Sequence, residues 1–291
     1  MKLMTYATDE GLRLGVRTKD GVVEIPLAGD WPRTMEALIA GGEPVVGRIE
    51  AHVREAVETG AILREEDLTF GPCVPNPGKI ICVGLNYREH AAESNMSIPE
   101  FPVLFNKFNN AVAAHGQSIP LPAYVKEGDY EVELAIVIGR TASGVSKDEA
   151  LDYVFGYCIA NDLSSRDLQF RTNQWLLGKS LDHFCPIGPY LVTADEVGNP
   201  NDLELSCLLN GEVRQHSNTS DMIFYCDELV SYISEYMTLS PGDIILTGTP
   251  QGVIFGYPPE KREWLKDGDE LVLAIDKLGR LENRMCARTG E

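Results

Sequence analysis

Residues 129–138 read Asp129-Tyr130-Glu131-Val132-Glu133-Leu134-Ala135-Ile136-Val137-Ile138. The alternation predicts a β-strand, in which residues two apart share a face at about 6–7 Å. Glu131 and Glu133 then point one way, and Val132, Leu134, Ile136 and Ile138 point the other. Ala135 and Val137 continue the carboxylate face as small apolar residues. Two like charges at the start of an apolar strand repel each other and lose hydration. A raised pKa on one of them relieves this, and so does a bound cation. Carboxylates with water suit Mg²⁺ or Mn²⁺. A solvated strand end with two free Glu side chains is the alternative.

Working outward, Ile80–Val83, Tyr157–Ala160, Leu203–Leu209, Ile244–Leu246 and Leu271–Ile275 also read as strands. Asn210-Gly211, Pro241-Gly242-Asp243 and Lys266-Asp267-Gly268 supply turns. Ser146 and Glu149 predict a capped helix through about Val154, and Leu229, Val230, Ile233 and Met237 mark the apolar face of another. Upstream, Leu12, Leu14 and Val16 alternate before an Asp20-Gly21 turn. Two short helices follow, one ending at Gly41-Gly42 and one at Gly60. Residues 71–78 hold three prolines and two glycines and read as a linker. The expectation is a β-dominated α+β chain. It comprises a small N-terminal α+β module (1–70), the linker (71–78) and a larger domain (79–291).

Composition narrows the function classes. The chain has 291 residues, with 25 Lys+Arg against 44 Asp+Glu, a formal charge of −19. An apolar share of 44% excludes a disordered chain. The acidic balance argues against nucleic acid or an anionic membrane as partner, because phosphates must be met by Lys and Arg. No N-terminal stretch resembles a signal peptide, and no apolar run approaches the ~18 residues of a membrane helix. The seven cysteines are scattered and form no CxxC, so they predict reduced thiols in a cytoplasmic protein, with a reactive thiol as the alternative.

Further candidates lie outside the opening strand. Asp162 follows the strand Tyr157–Ala160, where it could complete a carboxylate triad or open a turn. His90 and Glu93 are neighbours if their segment is helical. A carboxylate beside an imidazole suits a general base, whereas an exposed surface pair is the bland reading. Gly178-Lys179-Ser180 lacks the upstream Gly of a phosphate loop, because position 173 is Asn173. That leaves Lys179 as a surface cation or a site cation. Thr247–Gly252 lets backbone approach a ligand, a weak signal by itself.

Together these blocks resemble the fumarylacetoacetate hydrolase family. The resemblance rests on Gly84-Leu85-Asn86-Tyr87 with His90 and Glu93, on Asp129–Leu134, on Ala160–Gln169 and on Gly178–Ser180. It also rests on Asn210-Gly211-Glu212 and Pro241–Pro250. The blocks keep the family's order over roughly residues 75–285, and the 1–70 module resembles the variable N-terminal part of bacterial members. The resemblance implies a mixed β-sandwich roll around a divalent cation, Mg²⁺ or Mn²⁺, in a homodimer. It assigns metal ligation to Glu131, Glu133 and Asp162, and the base dyad to His90 and Glu93, on a segment that closes as a lid in some members. Lys179, Arg166, Gln169 and Thr249 would contact substrate. The longest members have a further acidic ligand before the dyad. Here that neighbourhood is Leu85-Asn86, which fits the three-carboxylate site of shorter enzymes.

The implied chemistry is metal-dependent cleavage of a carbon–carbon bond in a 1,3-diketo or acylpyruvate-type anionic oxo acid. His90 would activate water, and Lys179 would act as catalytic cation for developing oxyanion charge. Oxaloacetate decarboxylation and isomerisation of an unsaturated oxo acid use the same site, and hydrolysis is the favoured expectation. A non-catalytic metabolite-binding protein is the reading from another class.

Overall fold

A computed structural model describes residues 1–93 and 97–287. The ends of the expected 79–291 domain, from residue 288, and positions 94–96 lie outside the described residues. Val132–Ile138 is a strand, and every residue in it is buried. It sits inside a large mixed sheet between Val154–Asn161 and Ile244–Leu246. Beyond these lie Ile80–Gly84 and Val103–Lys107 on one side, and Cys185–Thr193 and Lys2–Thr8 on the other. A second sheet of five strands contains Glu204–Leu209, Glu270–Ile275 and Gly279–Ala287. Neither sheet closes on itself. The β-dominated α+β expectation holds.

The period of two explains the layering. Val132, Leu134, Ile136 and Ile138 pack in one core cluster with Leu205, Leu273 and Leu281 of the second sheet. Ala135 and Val137 belong to a different cluster, with Leu38, Ile39 and Ile49 of the helical segment Met35–Thr59. The large sheet is therefore covered on both faces, and this is why its central strand reads as nearly unbroken apolar sequence. The helical segment is kinked at Gly42, as the two-helix expectation requires.

Strand Lys2–Thr8 pairs with Cys185–Thr193 and so joins the first residues to the large sheet. In residues 71–78, Cys73 and Val74 are buried in the same cluster as Leu3 and Ile80.

Several local expectations need correction. The N-terminal hairpin turns at Lys19-Asp20, and Gly21 opens the next strand. The segment after Ser146 is a 3₁₀ helix, Lys147–Tyr153, and the Ser146 hydroxyl bonds the Glu149 carboxylate (2.7 Å) and caps no backbone N–H. Met237 lies past the end of helix Cys226–Tyr236 and is exposed, whereas Leu229, Val230 and Ile233 are buried as expected.

Ile136→Ala would open a cavity between the two layers. The expected loss is about 2–5 kcal/mol, read as a lower urea midpoint with unchanged slope.

Candidate active site

The strand register builds the acidic cluster. Val132 pairs with Asn161, and the Asp162 amide donates to the Glu131 carbonyl (3.0 Å). Asn161 Oδ1 accepts from the Glu131 amide (3.1 Å), which closes the strand end. Asp162 is thereby brought across from Glu131 and Glu133. Ligand oxygens of all three lie within 4.8 Å of one another, and all three side chains are buried.

Cations surround this cluster. Lys179 Nζ lies 2.8 Å from both Glu131 Oε2 and Asp162 Oδ2. It reaches them from a short helix, Leu176–Lys179, packed on helix Arg166–Gln169. Gly178 permits that contact, since a Cβ there would meet Gln169 N and Ser165 O at 2.5 Å. Arg166 Nη2 lies 2.7 Å from Glu131 Oε1 and 2.8 Å from Asp129 Oδ2. Lys107 Nζ lies 2.6 Å from Asp162 Oδ1 and also donates to the carbonyls of Leu163, Phe184 and Lys179. Four buried carboxylates thus face three buried cations.

Glu133 has no cation within ion-pair distance among the described residues. One of its oxygens, Oε2, accepts from the Gly248 amide (2.7 Å). Burial, then the charges of Asp162 and Glu131, push its carboxyl well above the usual carboxylate range. Burial alone would also raise Glu131, but Lys179 and Arg166 outweigh it and hold that group down at about 2. Burial opposes charge on Lys179, yet Asp162 and Glu131 raise it above the ordinary lysine value, so it stays an ammonium.

The donor set fits a hard divalent cation. It is all oxygen and it is buried, and with Asp129 the four ionised carboxylates here would outnumber the three adjacent cations by one. Glu131, Glu133 and Asp162 would hold Mg²⁺ or Mn²⁺.

His90 and Glu93 lie on helix Arg88–Glu93, with His90 Nδ1 2.8 Å from Glu93 Oε1. The two Glu93 oxygens accept from the Gly252 amide (3.2 and 3.1 Å). In the tautomer with its proton on Nδ1 the ring donates to Glu93, and Nε2 is the nitrogen outside that bond. His90 shares one cleft with Glu131, Glu133, Lys179, Arg166, Gln169 and Thr249. Phe105, Phe170, Trp175 and Phe255 give the cleft apolar walls.

The remaining candidates are partly committed within the protein. Gln169 Oε1 accepts from Arg166 Nη1 (2.9 Å). The Thr249 hydroxyl accepts from Gln215 (2.8 Å) and donates to the Val132 carbonyl (3.0 Å). Asn86 is no ligand, because its amide bonds Phe224 and Thr247. Sequence reasoning missed Lys107 and gave Asp129 no role. A lysine ending the strand Val103–Lys107 has no local signal, and Asp129 was visible only as the residue preceding Tyr130-Glu131.

Comparison with known proteins agrees with this site. The family model described as fumarylacetoacetate (FAA) hydrolase C-terminal matches residues 79–286. The chain belongs to the fumarylacetoacetate hydrolase family. Among curated relatives, a Dictyostelium discoideum fumarylacetoacetate hydrolase domain-containing protein 2 homolog is 50% identical, covering 98% of this chain and 97% of that protein. A Bos taurus protein, "Oxaloacetate tautomerase FAHD2A, mitochondrial", is 43% identical over 94% of this chain and 88% of its own length. The crystal structure of maleylpyruvate hydrolase from Sphingobium sp. SYK-6, in complex with manganese(II) ion and pyruvate, is similar at TM-score 0.80. It shows 32% identity and 99% coverage of both chains. The resemblance to bacterial members in particular is not borne out, since these curated relatives come from an animal and a slime mould. Members of this family are enzymes, and a divalent cation accompanies the fold in that manganese complex.

Two outcomes follow for the cluster. Asp162→Ala leaves Lys107 and Lys179 with a lost partner in the interior, so chemical denaturation is expected to show a loss of about 3–5 kcal/mol, and Mn²⁺ binding should vanish in a calorimetric titration. In the wild type, the raised Glu133 carboxyl sets a cation in competition with a proton, so Mn²⁺ affinity should rise with pH. The rise should approach about tenfold per pH unit while that one proton is displaced, with proton release into the buffer as the direct measure.

Proposed function

We propose that the protein is a divalent-metal-dependent enzyme that moves a proton beside the carbonyl of a small anionic 2-oxo acid, with keto–enol tautomerisation of an oxaloacetate-class substrate as its reaction. The observation that supports it best is that His90, bonded to Glu93, lines one cleft with Glu131 and Glu133 of the three-carboxylate cluster. The 43% identity to an oxaloacetate tautomerase over most of both chains favours this substrate class.

When bound, the cation supplies Lewis acidity and a template for the substrate's oxygens. His90 Nε2 takes the proton from the carbon next to the oxo group. The C–H electron pair becomes the new C=C bond, and the oxo oxygen takes up a proton in return. Glu93 stabilises the imidazolium formed on the way. Lys179, held by Glu131 and Asp162, offsets negative charge on the oxygen. Arg166 and Gln169 orient the substrate's carboxylate, and the aromatic walls exclude water.

Hydrolysis of a carbon–carbon bond in an acylpyruvate is the second reading, favoured by the manganese–pyruvate complex of maleylpyruvate hydrolase. There the same base would take its proton from water attacking the distal carbonyl. We place the protein in a reducing compartment, the cytoplasm on the sequence reading, with its seven cysteines free. No described helix is long and apolar enough to cross a membrane. We propose a homodimer, which light scattering would report as twice the chain mass of 32.1 kDa.

Mn²⁺-loaded protein should accelerate oxaloacetate keto–enol exchange, compared side by side with acylpyruvate cleavage and oxaloacetate decarboxylation. His90→Ala should lower exchange and cleavage by about 10²–10⁴-fold while sparing decarboxylation, which needs no base. Protein that binds Mn²⁺ but turns over no oxo acid would instead be a metabolite-binding member of the family.

A further inference from the structure

The base dyad is gripped by a loop, and that loop has its own anchor. Glu93 meets the loop through the Gly252 amide, and Gly256 lies so close that a Cβ there would come within 2.5 Å of Glu93 Cδ. Gly252 has φ +98°, and a Cβ on it would meet the Arg214 carbonyl oxygen at 2.0 Å. No other residue fits there. The loop is held from beneath by two consecutive residues. The fully buried Asp129 takes the Ile254 amide on Oδ1 (2.8 Å) and the Phe255 amide on Oδ2 (3.0 Å). Tyr130 donates its hydroxyl to the Gly252 carbonyl (3.0 Å). Asp129 Oδ2 also accepts from Arg166 Nε (2.9 Å), and Arg166 in turn holds Glu131.

We infer that Asp129 and Tyr130 are positioning residues for the base dyad: they fix the 252–255 loop, and the loop fixes Glu93 and so the His90 imidazole. The inference rests on the dyad's role as the base. A carboxylate is needed at 129 because donors alone converge on it: two loop amides, the Tyr130 amide and the Arg166 guanidinium. Asparagine would keep one acceptor oxygen and turn an N–H toward the others. The sequence order ties the parts together, since the two residues that hold the loop directly precede Glu131 and the strand Val132–Ile138 that carries Glu133.

The test uses full-length Mn²⁺-loaded enzyme carrying Asp129→Asn or Tyr130→Phe. Both should speed amide hydrogen exchange in the segments around 252–256 and 88–93. Asp129→Asn should lower kcat by about 10–100-fold, and Tyr130→Phe by less, with KM nearly unchanged. Added to Glu93→Gln, either change should lower kcat by under about twofold, because all act through one group. If Asp129→Asn does not fold, Tyr130→Phe, which loses one hydroxyl and leaves Arg166 untouched, decides alone. Unchanged exchange at 88–93, or losses that multiply with Glu93→Gln, would overturn the inference. Absence of turnover in the wild type would sink the functional reading instead, and the exchange measurement would still judge the loop.

Discussion

The backbone bond from the Asp162 amide to the Glu131 carbonyl, at the mouth of two paired strands, sets the rest of the site. It extends an antiparallel register by one residue and carries a carboxylate with it. The result is an acidic cluster in the interior, where unpaired charge is expensive. Lys107, Lys179 and Arg166 answer it from three other parts of the chain. Each of those cations needs its own supporting carbonyls, amides or packing. One constraint thereby dictates the position of the short helices at 166–169 and 176–179.

The arithmetic of that cluster separates structural from chemical roles. Arg166 pairs with Asp129 and Glu131, Lys179 with Glu131 and Asp162, and Lys107 with Asp162. Glu133 is the carboxylate left over, and its raised pKa shows the strain of being charged there. A dication removes that strain and reverses the sign of the local charge. The proposed anionic substrate could then approach a protein whose overall charge is −19. The net charge describes the outer surface, and the cleft obeys its own balance.

The two-layer arrangement fixes this cluster at a place that can be both buried and reached. The strand faces diverge at Glu133: its apolar neighbours go to one core or the other, while its own side chain lies at the cleft. The dyad helix brings His90 to the same cleft and is tied down by loop backbone at Gly252. Acid cluster and base are thus carried by separate elements. Their spacing depends on how those elements dock.

Much of the site was legible because it is local. In an extended segment period two puts Glu131 and Glu133 on one face, and in a helix spacing of three puts Glu93 beside His90. The central strand showed itself by length and apolar run. Strand Cys185–Thr193 did not, because Pro186 and Pro189 break the usual pattern of a strand. The helix expected after Ser146 is present but 3₁₀, and its capping residues bond each other. By itself, then, the sequence determined which carboxylates share a face, which histidine has a carboxylate partner, and the family. Only the tertiary structure decided that Lys179 bridges Glu131 and Asp162, 48 and 17 residues away, and that Lys107 and Asp129 belong to the site. Pairings at such separations follow from strand register and helix docking, which no local pattern encodes.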